Sequence, residues 1–176
     1  MSLIYLLSSL PMLSFDAPPG VTAESFAAAC REQLGETDAA AAEALLRRQP
    51  MQHPFVEAWE DKEAILRNAV ARQRARAKSA EPTRWMRPTR GCDKAIETGV
   101  EDAFQEADPL KREKALDKVR WTLAEDWAGP DPLSIRAVFA YAVKLAVLWR
   151  WKSLDAARGA QVFDELTSPL SPNPEP

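Results

Sequence analysis

The segment Ser134–Trp151, SIRAVFAYAVKLAVLWRW, constrains the chain more than any other, because its apolar residues do not keep to one face. Ile135, Val138, Phe139, Ala142, Leu145, Ala146 and Trp149 recur at the i, i+3, i+4 spacing of a helix. Val143, Val147, Leu148 and Trp151 make a second stripe beside the first. A helix that is apolar most of the way round is covered by neighbours on several sides. The segment therefore predicts the central helix of an all-α fold, a compact multi-helix bundle built around a buried C-terminal helix. The competing reading is an exposed helix that docks a partner. Arg136, Lys144 and Arg150 carry its charge, and such side chains lay their stems on apolar surface with their heads in water. A membrane span needs roughly 20 apolar residues. Lys144, in mid-segment, would cost about 2.5–3.5 kcal/mol at a bilayer centre.

The rest of the chain is punctuated for helices. Its 6 glycines are few, and apart from Pro11 its 14 prolines cluster at boundaries rather than inside periodic runs. Thr22 is placed to cap a helix to about Leu34 with Phe26, Cys30 and Leu34 on one face, and Gly35 reads as its stop. Thr37 or Asp38 opens a second helix that Pro50 closes, which makes an αα-hairpin. A long third helix starts at Gln52–Pro54 and runs to between Ala75 and Ala80, and a loop follows over 81–91. A fourth helix is expected over Asp93–Ala107. A fifth is capped by Asp108 with Pro109 at its first position and ended by Gly129-Pro130. A last helix, Ala156–Leu166, is capped by Asp155. Ile4–Phe15 is nearly all apolar without a period, so strand and helix both stay open. No basic residue precedes it and Pro11 interrupts it, so a packed core element is expected there rather than a signal peptide. The organisation is a single helical domain over 1–167, with a possible division into two lobes near 80–91, and a disordered Pro-rich tail over 168–176.

Several chemistries are disfavoured by count. His53 is the one histidine, and it sits at a helix start where capping or surface exposure is its expected state. Two cysteines, Cys30 and Cys92, and one histidine fall short of a zinc site, and the cysteines read as buried reduced thiols. There is no Gly-rich phosphate loop and no GxSxG. The acidic groups Glu57, Glu60, Asp61 and Glu97, Glu101, Asp102 fall on helix faces that the apolar stripe leaves to solvent. Neither an enzymatic activity nor a cofactor is expected.

The one charge anomaly is the stretch 67–90. Arg67, Arg72, Arg74, Arg76, Lys78, Arg84, Arg87 and Arg90 stand there against the single acid Glu81, in a chain of net charge −3. Trp85 lies among them. Three readings stay open: a solvated or internally paired segment, a docking site for an acidic protein, and a surface for single-stranded nucleic acid or anionic lipid. The acidic balance of the whole chain disfavours general attraction to phosphate. The residues expected to bind a partner are Arg67, Arg72, Arg74, Arg76, Arg84, Trp85 and Arg87.

The runs ALDKVRWTLAEDW, SIRAVFAYAVKLAVLWRWKSLD and GAQVFDEL, with the opening YLLSSLPMLSFD, resemble a bacterial family of uncharacterised proteins encoded among the subunits of V/A-type ATPases. That family is in turn similar to the C-type subunit of V/A-type ATPases, termed d in the eukaryotic enzyme, which is the helical socket between the membrane rotor ring and the central stalk. Trp59, Asp61, Ala64, Ile65 and Arg67 echo its acid-then-helix stretch, and Tyr141, Lys144 and Arg150 its aromatic and basic pattern. An acid expected near Ala146 or Val147 is missing, and the chain is shorter than a full three-repeat socket. The resemblance implies a non-enzymatic, cytoplasmic connector whose partners are stalk or rotor-ring subunits and which reaches the membrane only through them.

Overall fold

The computed structural model describes residues 3–154 and 156–167. The expected cap at Asp155 and the tail from 168 lie outside them. Among the described residues the chain is all-α. The helices are α1 (Leu3–Ser9), α2 (Ala23–Gln33), α3 (Glu36–Arg47), α4 (Pro54–Ala77), α5 (Lys94–Ala103), α6 (Pro109–Ala128), α7 (Ile135–Lys152) and α8 (Ala156–Thr167), with one 3₁₀ turn at Thr83–Trp85.

The starts of these helices are written locally. Thr22 Oγ1 accepts the Ser25 amide at 3.0 Å, Asp108 Oδ1 the Leu110 amide at 2.8 Å and Ser134 Oγ the Ala137 amide at 3.3 Å. Each satisfies an amide that the first turn leaves without a partner. His53 caps α4. Its Nδ1 accepts the Phe55 amide at 3.2 Å, and its ring is buried against Phe55 and Phe139 rather than exposed. Gly35 departs from the expectation. It does not stop α2, whose C-cap is Leu34, but stands at the N-cap of α3 with an ordinary φ of −67°. The fourth expected helix, α5, ends at Ala103, shorter than its periodicity suggested, because Phe104 caps it and 105–108 turn toward Asp108. Ile4–Phe15 resolves as the short helix α1, held by fully buried Leu6, followed by a segment anchored by Leu13.

α7 is the centre. Val138, Phe139, Ala142, Leu145 and Val147 are all at most 1% exposed, on faces that look toward α3 and α6. Burying a side chain such as Phe139 or Phe26 stabilises the fold by about 1.5–3 kcal/mol. Tyr141 stacks on Phe26 with ring centroids 5.3 Å apart and donates its hydroxyl to the Pro11 carbonyl at 2.9 Å, which closes the N-terminal segment over the bundle. Burial raises its phenol to about 12.

The core has two apolar clusters. The larger joins α1, α2, α3 and α7 with the start of α4 and the end of α6. The smaller joins the middle of α4, α5 and the start of α6 through Ile65, Leu66, Ile96, Val100 and Leu116. Between them lies an ionic network that periodicity alone did not flag. Asp117, on α6, is fully buried. Its carboxylate accepts from Arg120 Nη1 at 2.9 Å, from Trp151 Nε1 at 2.9 Å and from Arg150 Nη1. Arg120 reaches Glu63 of α4 at 2.7 Å, and Arg150 reaches Glu113 at 3.1 Å. Burial acts to depress the Arg120 guanidinium, but Glu63 and Asp117 more than reverse that and raise it.

Removing the shared carboxylate is the sharpest test of this packing. Asp117→Ala leaves Arg120 and Arg150 without their common partner and should cost about 3–5 kcal/mol. The triple replacement Asp117→Leu, Arg120→Met, Arg150→Met should recover most of it; urea unfolding measures both. At the α5–α6 contact, a Cβ on Gly99 would stand 2.9 Å from Val119 Cγ2. Gly99→Ala should therefore destabilise by about 1–3 kcal/mol despite the better helix propensity of alanine. Adding Val119→Ala should restore stability, read by the same unfolding curves.

Candidate functional site

The basic stretch folds into an elbow. α4 carries Arg67–Arg76, Lys78 caps it, and the chain turns through the 3₁₀ turn and back along α4 to Asp93. Two α4 side chains pin the returning loop by its backbone. Asn68, only 4% exposed, donates Nδ2 to the Arg87 carbonyl at 2.8 Å and accepts the Arg87 amide at 2.8 Å. Asp61 accepts the Arg90 amide at 2.9 Å. Lys62 Nζ meets Asp93 at 2.6 Å, the main reason that the Asp93 carboxyl lies below its usual range. The loop is thus held without using the side chains of Arg87 or Arg90.

This arrangement divides the expected binding residues. Arg67 faces Glu63 at 3.6 Å, Arg72 meets Glu97 at 2.6 Å and Arg74 meets Glu113 at 3.4 Å, so these three are tied to the body. Such exposed pairs contribute about 0–1 kcal/mol each. Arg76, Lys78, Arg84, Arg87 and Arg90 have no carboxylate partner among the described residues. Trp85 is 55% exposed, with the Arg84 guanidinium 5.7 Å from its ring centre. Glu97 proves to be an ion-pair partner rather than a purely solvated acid, and Asp61 a clamp for the loop. Cys92 is exposed, not buried; Cys30 alone is buried, and burial pushes its thiol to about 12.

Beside the elbow opens a cleft of about 670 Å³ between α3, α4 and the loop at 87–90. Leu45, Val56, Trp59, Val143 and Val147 make its apolar floor. Arg48, Arg67, Arg87 and Arg90 stand around it, with Glu57 and Glu60 toward the start of α4. Nothing in its sequence context singles out Arg48. It ends α3 in the left-handed conformation, φ 55°, and sends Nη2 to the Ala146 carbonyl at 3.4 Å. Loss of hydration, and then the positive charge of Arg120, lowers its guanidinium although much of the residue stays open to solvent. Among the described residues no helix is long and apolar enough to cross a membrane, and no group of three metal-ligating side chains stands together.

Residues 97–172 match a family model described as "Protein of unknown function (DUF2764)". No curated protein and no solved structure matches the chain.

The pinning of the elbow is open to test. Asn68→Ala leaves the Arg87 amide without its buried acceptor and should cost about 1–3 kcal/mol. It should also speed native-state trypsin cleavage after Arg84 or Arg90, read by mass spectrometry of the fragments, while the Arg87–Pro88 bond is not a trypsin site.

Proposed function

We propose that the protein is a non-enzymatic connector or accessory component of a V/A-type ATPase, akin to its socket subunit, and that it docks an acidic stalk or rotor-ring subunit through its elbow. The observation that carries the reading is the group of unpaired cations at the elbow, Arg76 and Lys78 at the end of α4 and Arg84 with exposed Trp85 in the loop that Asn68 and Asp61 hold to the body further on. A surface built for its own stability would spend those charges on its own carboxylates. This one leaves them free on a rigid support, the arrangement that electrostatic complementarity with an acidic partner uses. The aromatic ring among them supplies the kind of anchor that dominates interface energetics. The family model of unknown function spans the three C-terminal runs that resemble the ATPase-associated family, all of which fall within residues 97–172. In this reading the protein works in the cytoplasm and meets the membrane only through its partners.

The test is recovery of partners from the native cells. A tagged chain captured under mild detergent should bring V/A-type ATPase subunits with it, identified by mass spectrometry. Arg76→Glu with Arg84→Glu should lower that recovery at least about tenfold, equivalent to roughly 1.4 kcal/mol, with unchanged thermal stability. Capture of nucleic acid instead, released steeply by salt, would replace this reading with that of a nucleic-acid-binding helical module using the stretch 67–90.

A further inference from the structure

The end of α4 holds a strained residue. Ser79 donates its amide to the Arg76 carbonyl at 3.2 Å, and Ala80 donates its amide to the Ala75 carbonyl at 2.9 Å, the paired bonds of a Schellman cap. The cap places Ser79 at φ 51°, a left-handed conformation that favours glycine and strains a serine. Strain kept where glycine would relieve it points to a use for the side chain. The hydroxyl has no structural use here. It is exposed and makes no hydrogen bond among the described residues. The Thr83 hydroxyl, by contrast, donates to Glu81 Oε1 at 2.8 Å, and the Thr83 amide donates to the same oxygen at 3.3 Å. Ser79 is flanked by the unpaired cations of the elbow, with Arg76 one turn before it, Lys78 next to it and Arg84 beyond the bend.

We propose that Ser79 is a phosphorylation site whose phosphate neutralises the elbow, a regulation that rests on the docking role proposed above. A nucleoside triphosphate supplies the group. Ser79 Oγ bonds to the γ-phosphorus, the bond from that phosphorus to the nucleoside diphosphate breaks, and the hydroxyl proton passes to a base of the kinase. Arg76, three residues before the serine, and Lys78, immediately before it, form a charge pattern that an acid-lined kinase groove reads. The product carries a charge of about −1.5 to −2 at pH 7 and three acceptor oxygens. Just past α4 it meets the negative end of the helix dipole, so the cations and not the helix must hold it. Arg76 and Arg84 do so through charge-assisted hydrogen bonds, and these are the charges that an acidic partner needs. Asn68 and Asp61 hold the loop further on, at the backbone of Arg87 and Arg90, so the change is confined to the tip of the elbow.

Mass spectrometry of the protein purified from its native cells, in growth and in stationary phase with phosphatases inhibited, tests the site. Phosphate is expected on Ser79 and not on Thr83. Its absence from Ser79 in both phases overturns the proposal. The neutralisation is read on the full chain with phosphoserine incorporated at position 79. Its phosphorus-31 titration should have a midpoint below the ordinary value of about 6, because neighbouring cations favour the dianion. Arg76→Gln with Arg84→Gln should return the midpoint to the ordinary value. An ordinary midpoint in the chain with both arginines present overturns the neutralisation. The phosphorylated chain should also recover its partner at least about tenfold less well, equivalent to roughly 1.4 kcal/mol, while Ser79→Ala recovers it fully. Undiminished recovery by the phosphorylated chain overturns the regulation. If the pull-down brings no ATPase subunit at all, the docking role fails, whereas the phosphate on Ser79 and its titration still decide this proposal.

Discussion

Asp117 is the residue on which the three long helices agree. A carboxylate with no exposed surface is costly to bury unless it is paired and fully hydrogen-bonded. Here one carboxylate takes donors from its own helix through Arg120 and from α7 through Arg150 and Trp151. Arg120 then carries the link to α4 through Glu63. The position of the network matters more than its net energy. On α6 it falls between Leu116, which belongs to the smaller apolar cluster, and Trp121, which belongs to the larger. On α4, Glu63 likewise falls between Trp59 and Ile65. The apolar stripes change partners at this level, and a purely greasy seam there could slide by a turn. A charged network with fixed geometry has one register that satisfies it, because any other leaves a buried ion alone.

From that register the rest of the architecture follows. With α4 fixed against α6 and α7, Asn68 and Asp61 come to face the chain at the height where it returns from its elbow. Asn68 treats the loop backbone as a neighbouring strand would, giving one hydrogen bond and taking one. The cleft is the space left between this pinned loop and the end of α3. Buried Val143 and Val147 of α7 line its floor, and Arg48 of the α3 cap with Arg87 and Arg90 of the loop stand at its edge beside Glu57, Glu60 and Asp61 of α4. Loop, cleft and network are thus one construction seen from different sides.

Much of this is legible in the residues alone. The all-round apolar character of Ser134–Trp151 marks the central helix, and Thr22, Asp108 and Ser134 mark helix starts because a capping oxygen is a local event. The anomaly of the basic stretch is visible as a count, but its division into paired and unpaired members is not. Arg72 finds Glu97 and Arg74 finds Glu113 across 25 and 39 residues, and such distances in sequence carry no period. Asp117 is hidden for a related reason. On a helix of mixed composition a single acid reads as solvated, and only the arrival of Arg150 and Trp151 from another helix reveals it as interior. Gly35 misleads because glycine most often stops a helix at positive φ, whereas here Leu34 ends one helix and Gly35 begins the next at φ −67°.

The division of the arginines also separates two kinds of surface. Those paired with carboxylates lie on α4, where Arg72 ties it to α5, Arg74 ties it to α6 and Arg67 pairs within the helix. Those left unpaired lie at the end of α4 and in the elbow, on backbone that is held by other means. A cation needed for internal cohesion cannot be released to a partner without loosening the fold. A cation whose loop is held by Asn68 can be given to a partner at no internal cost beyond its own rotamer freedom. The unpaired cations of the elbow can therefore change partners while the bundle behind it stays unchanged, the property that the proposed connector role would require.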